Sequence, residues 1–74
     1  MVKYTNLFSP REEEVLDLLA EQYTYDQMAV KLNIRMSTLR THIYHIMQKT
    51  GIWKQILLVT YAQEHGYGRK KVPA

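Results

Sequence analysis

Residues 35 to 54, from Arg35 to Lys54, hold four cationic side chains and not one acid. Within them Met36, Leu39, Ile43, Ile46 and Met47 recur at helical spacing, which gathers them into one apolar stripe. Ser37, Arg40, Thr41, Tyr44 and Gln48 are left on the opposite face. The spacing predicts an amphipathic helix over about 36–49, ended by Gly51, the residue best able to take the left-handed conformation after a helix. Such a helix must bury its stripe against other helices and turn a face of donors, acceptors and one guanidinium outward. Arg can bond the edge of a guanine in two places, and Thr and Tyr can bond phosphates or meet a thymine methyl. That face suits a duplex groove.

With 74 residues the chain makes one domain, and a chain this short buries only roughly 60% of the surface its unfolded form exposes. An interface with a second copy would add to so small a core. The net charge of +3 is unevenly divided: residues 1 to 34 hold three basic and six acidic groups, residues 35 to 74 seven basic groups and the single acid Glu64. The asymmetry points to an anionic partner at one end of the molecule, nucleic acid first among them. There is no cysteine, so disulfides and thiolate metal sites are excluded. The first residues lack the apolar run of a signal peptide, and no apolar segment approaches the ~20 residues needed to span a bilayer. A cytoplasmic protein without membrane contact is expected.

Start signals divide the chain into helices. Ser9-Pro10-Arg11-Glu12 offers a cap, a proline suited to the first helical position and a glutamate placed to return to the Ser9 amide as a capping box. Glu12, Glu13 and Glu14 read as a solvated start that complements the helix dipole, with Val15, Leu16, Leu18 and Leu19 behind it. Thr24-Tyr25-Asp26-Gln27 repeats the capping pattern before a short helix that buries Met28, Ala29 and Leu32. Asn33 and Ile34 make the tight connection to the basic helix. Two short helices so joined form a helix-turn-helix, and the small Ala29 permits a close, steep crossing. A fourth helix is expected over about 55–64, with Ile56, Val59 and Leu58 closing the core and Leu57 and Tyr61 left for a second surface that meets another subunit. Residues 1–7 read as an extension, 8–66 as the domain and 67–74 as a flexible basic tail able to touch phosphate.

The order of these signals resembles the LuxR/GerE-type helix-turn-helix domain of bacterial transcription regulators over Phe8 to Gly66. Its Leu-Thr-Pro-Arg-Glu and Glu-Val-Leu stand here as Phe8-Ser9-Pro10-Arg11-Glu12 and Glu14-Val15-Leu16. Its helix-turn-helix pattern stands as Met28-Ala29, Leu32, Thr38-Leu39-Arg40 and His42, and its exit as Lys49-Thr50-Gly51-Ile52. The resemblance implies an all-α, four-helix domain without a wing. It also implies that Arg40, Thr41 and Tyr44 contact bases in the major groove. By the same resemblance Thr24, Tyr25, Arg35, Ser37, Thr38, His45 and Lys49 contact phosphates, and Leu57 and Tyr61 lie in a homodimer interface through the last helix. Several positions depart from the family pattern: Gln22 replaces a Gly, Gln27 a Glu and Gln55 an Arg. Arg35 replaces the usual Ser or Thr cap of the recognition helix, which moves the expected cap to Ser37.

An enzyme is not expected. His42 and His45 have a spacing that can bind metal, but no third ligand accompanies them, and His65 sits beside the tail. No phosphate loop, nucleophile motif or carboxylate pair is present, and no cofactor is implied. The reading is a stand-alone, sequence-specific regulator that binds double-stranded DNA. The alternative is a helix-turn-helix module that modulates another regulator or RNA polymerase as a protein partner without reading DNA.

Overall fold

The structure, a computed structural model, describes residues 7–68. It consists of four helices, α1 (Pro10–Ala20), α2 (Tyr25–Leu32), α3 (Met36–Thr50) and α4 (Gln55–Glu64), with no strand among the described residues. Residues 1–6 and 69–74 lie outside that range, and with them most of the expected extension and of the basic tail. No described helix is long and apolar enough to cross a membrane.

Both capping boxes form. At α1 the Ser9 amide donates to Glu12 Oε1 at 3.0 Å and the Glu12 amide to Ser9 Oγ at 3.1 Å. At α2 Thr24 and Gln27 exchange the same pair of bonds at 2.9 and 3.1 Å, so the glutamine at the departing position closes the box through its side-chain oxygen. α3 differs. Arg35 occupies its N-cap and makes no side-chain cap bond, so the displacement of the cap to Ser37 does not occur. Extended backbone at Arg35 starts the helix before Ser37 is reached, and the Ser37 carbonyl instead accepts from Thr41 Oγ1 at 3.1 Å.

α1 is the centre of the molecule, packed against both α3 and α4, while α2 packs on α3. Val15, Leu16 and Leu19 of α1, Met28 of α2, Leu39 and Ile46 of α3 and Leu58 of α4 are completely buried. The turn from α2 to α3 rests on Asn33 at φ 57° and ψ 48°, a left-handed conformation Asn tolerates better than most residues. There the Ile34 amide reaches back to the Ala29 carbonyl at 3.0 Å, which ends α2 and redirects the chain into α3.

Two parts of the C-terminal half differ from expectation. Ile56, expected in the core, is 69% exposed, and the buried residues of α4 are Leu58 and Ala62. Apolar residues surround this helix on every side, so packing against α1 and not periodicity selects the inner face. Tyr67 and Gly68, expected in the tail, are packed on α1. The Tyr67 ring lies against the core, and burial together with Glu13, Tyr61 and Asp17 pushes its hydroxyl up to about 12, with Glu13 also hydrogen-bonded to it. The Gly68 amide donates to Asp17 Oδ1 at 2.9 Å, and a Cβ at this position would lie 2.7 Å from that of Ala20, so only glycine fits against α1.

Gln22, in the turn between α1 and α2, has φ 67°, which explains why the resembling family carries glycine there. A side chain costs roughly 1–2 kcal/mol in that conformation, partly offset by the extra freedom glycine has when unfolded. Gln22→Gly is expected to stabilise the domain by about 0.5–1 kcal/mol, read as a higher urea midpoint at unchanged slope.

Candidate nucleic-acid interface

α3 has two faces. Leu39, Ile43 and Ile46 point into the core, and the turn spacing that buries them exposes Ser37, Arg40, Thr41, Tyr44 and Gln48. Arg35, Thr38 and His45 are also exposed. The three residues singled out for base contact, Arg40, Thr41 and Tyr44, therefore share one open face, and Tyr44 is 51% exposed. The Thr41 hydroxyl spends its proton on the Ser37 carbonyl, which leaves its oxygen as an acceptor and its methyl for apolar contact.

The start of α3 lacks both a side-chain cap and an acid in its first turn. Its first amides thus keep their unsatisfied partial positive charge beside Arg35, Ser37 and Thr38, an arrangement that favours an anion. Arg35 and Thr38 also line a shallow concavity with Ala29, Val30, Asn33 and Ile34, between the end of α2 and the start of α3. From α2, Tyr25 is brought near this face. Burial raises its hydroxyl above the ordinary tyrosine range, and the Arg40 charge acts in the opposite sense, which couples the first turn of α2 to the middle of α3. Thr24 keeps its oxygen on the Gln27 amide and retains a hydroxyl proton to donate.

Lys49 and His45 have a further partner. Lys49 Nζ lies 2.6 Å from Oε1 of Glu12, and His45 Nδ1 lies 3.7 Å from its Oε2. Glu12, expected in a solvated acidic start, is 4% exposed. Glu14 pairs with Arg11 at 2.9 Å and Glu13 bonds Tyr67, so each acid of the run has its own partner. The Glu12–Lys49 contact joins residues 37 positions apart, and nothing local in the sequence announces it. Lys49 thus stands at the candidate interface as a cation already held by a carboxylate.

On α4, Leu57 is 53% exposed, but Tyr61 is half-buried, edge-on to Phe8 at 6.4 Å and stacked on His65 at 4.0 Å. The open apolar surface of this helix is formed chiefly by Ile56 and Leu57. His42 is half-buried, and among the described residues no His, Asp or Glu cluster could hold a metal ion. Trp53, to which no sequence signal assigns a role, is exposed beside Tyr44, with ring centroids 5.8 Å apart.

Burial raises the Glu12 carboxyl, but the Lys49 hydrogen bond, the Ser9 amide and the charges of Lys49 and His45 outweigh it and hold the group below the ordinary carboxylate value. A depressed carboxylate contributes stability that is present above its unfolded pKa of about 4.3 and is lost as pH falls through the lower folded value. Glu12→Gln is expected to destabilise the domain at pH 7 by about 1–3 kcal/mol and to flatten the loss of stability below about pH 4, both measured by urea unfolding across pH. Lys49→Ala strands the buried carboxylate and is expected to cost a similar amount, about 1–3 kcal/mol, before any ligand is added.

The description "Bacterial regulatory proteins, luxR family" matches residues 6–62, which takes in all of α1, α2 and α3 and most of α4. The chain is also similar to the HTH-type transcriptional regulator MalT of Cronobacter sakazakii (strain ATCC BAA-894), 35% identical over 68 residues that take in 86% of this chain. It spans only 8% of the length of that relative. No solved structure matches it. The capping boxes, the α2–α3 turn and the exposed outer face of α3 agree with the family match: the chain is a helix-turn-helix domain that belongs to the luxR family of bacterial regulatory proteins.

Proposed function

We propose that the chain is a sequence-specific transcription regulator of the cytoplasm that inserts α3 into the major groove of double-stranded DNA. The observation that carries this reading is the outer face of α3, where Arg40, Thr41 and Tyr44 stand exposed with no acid anywhere in the helix. Arg40 supplies bidentate bonds to a guanine, Thr41 a methyl and an acceptor, and Tyr44 a ring edge and a hydroxyl. Arg35, Ser37, Thr38 and the uncapped amides of α3 take one phosphate strand, and Thr24 and Tyr25 extend that contact from α2. His45 and Lys49 meet the backbone along the other flank, Lys49 with its charge shared with Glu12. The relative described as an HTH-type transcriptional regulator supports the same class of activity.

Exposed Leu57 and its neighbour Ile56 support a two-fold dimer through α4, with Tyr61 at the margin of the contact. Such a dimer sets two copies of α3 into successive major grooves. A protein-interaction role without DNA reading is the competing outcome, in which the same α4 surface meets another protein.

Selection from random duplexes followed by binding titrations across salt concentrations tests the reading. A recovered motif and a steep fall of affinity with salt are expected, because neutralised phosphates release counterions. Retention of no duplex at low salt would sink it in favour of the protein-interaction role. Arg40→Ala is expected to lose roughly 1–3 kcal/mol on the selected site and less on random DNA, whereas equal losses would assign Arg40 to phosphate.

Leu57→Glu is expected to leave a folded monomer that binds single half-sites weakly and has lost most affinity for a two-half-site duplex. Sedimentation of the unmodified protein, free and on DNA, checks the dimer directly. A monomer in both states would move the α4 surface to a different partner.

A further inference from the structure

Trp53 is the single tryptophan of the chain, and it is 57% exposed in the turn between α3 and α4. An indole this open contributes little to a core that Leu58 and Ala62 already close from this side. Its ring neighbour is Tyr44, 5.8 Å away and inclined by 55°, itself 51% exposed. Tyr44 in turn lies 6.1 Å from the His45 ring. The two exposed rings thus form a wall that starts on the outer face of α3, which also carries Arg40 and Thr41, and continues into the turn after the helix.

The acid nearest this wall, Glu12, is buried and held by Lys49. From Gln27 to Gln63 the chain contains no aspartate or glutamate, and Lys54 follows Trp53 directly. An indole offers an apolar ring face and a single N–H donor with no acceptor. A deoxyribose beside a phosphate presents the complement, an apolar sugar face and an anionic acceptor oxygen. Aromatic side chains also concentrate in protein–protein contacts, but a protein docking here would have to desolvate Arg40 and Lys54 with no acid between Gln27 and Gln63 to accompany them.

We propose that Trp53 is a nucleic-acid contact residue: its ring packs on a deoxyribose at the rim of the groove, its Nε1–H donates to the adjoining phosphate, and its other side buttresses Tyr44 against the bases. The assignment rests on the DNA reading above and extends it beyond the recognition helix. The contact is independent of base sequence and carries no formal charge. It therefore adds affinity on every duplex without steepening the salt dependence.

The sole indole is its own reporter. Titration of the unmodified protein with an end-labelled duplex, following label anisotropy and tryptophan emission together, is expected to show emission change and protection from acrylamide saturating with the anisotropy. Trp53→Ala should bind selected and random duplexes about ten-fold more weakly, a loss of roughly 1.4 kcal/mol, at an unchanged salt slope and urea midpoint. Trp53→Phe, which keeps a ring and lacks the donor, should fall between.

Duplex binding by anisotropy with unaltered emission and no acrylamide protection would overturn the assignment while leaving the DNA reading intact. Loss confined to the selected site would overturn it in favour of base reading by Trp53. Flat anisotropy at low salt would sink the DNA reading and this contact with it. Should Trp53→Ala lower the urea midpoint, the emission and protection of the unmodified protein decide.

Discussion

The buried carboxylate of Glu12 ties the first turn of α1 to the last turns of α3, and the disposition of the candidate interface depends on that tie. Its Oε1 takes the Ser9 amide and the Lys49 ammonium, and its Oε2 faces His45. A carboxylate taken out of water is costly unless its lone pairs are satisfied, so the group is stable only with α3 in this one orientation. One residue thus caps its own helix and anchors another. The electrostatic consequence reaches the outer surface: the charge at Lys49 is compensated, whereas Arg35, Arg40 and Lys54 about α3 have no ion pair among the described residues.

That division explains how one helix serves two purposes. The inner residues of α3 are apolar and fixed, and the ion pair sits at the boundary near its C-terminal end. Among the described residues the outer side chains make few contacts within the fold: the Thr41 hydroxyl bonds the Ser37 carbonyl, and the Tyr44 ring lies beside those of Trp53 and His45. At its N-terminal end the opposite holds: the helix is left without a side-chain cap, a local cost typically near 1 kcal/mol that leaves free amides beside Arg35 and Thr38. A stabilising cap there would compete with any anion for those same amides. The sequence departs from local helix rules where the proposed partner would bind.

Strain is tolerated elsewhere for connection. Gln22 and Asn33 both take positive φ, one before α2 and one after it, so the short helix is held by a left-handed residue on either side. The 3.0 Å bond from the Ile34 amide to the Ala29 carbonyl fixes the second of these turns and with it the entry of α3. Asn33 suits a positive φ and Gln22 does not, so the two turns carry different cost.

Signals that act over three or four residues were legible in the sequence. Ser9-Pro10-Arg11-Glu12 and Thr24 to Gln27 state their capping boxes, the stripe of Leu39, Ile43 and Ile46 states the inner face of α3, and Gly51 states its end. The outward set of Arg40, Thr41 and Tyr44 follows from the same periodicity, since burying one face of a helix exposes the other. Tertiary structure alone decided which face of α4 is inside, because Ile56, Leu57, Leu58 and Val59 are apolar in succession and periodicity cannot rank them. It likewise decided that Glu12 is buried against Lys49 while Glu14 remains exposed, that Tyr67 and Gly68 close on α1, and that Trp53 stands beside Tyr44. Each of these joins residues too far apart in the chain for any local pattern to encode; they are set by which surfaces meet when four short helices bury one small core.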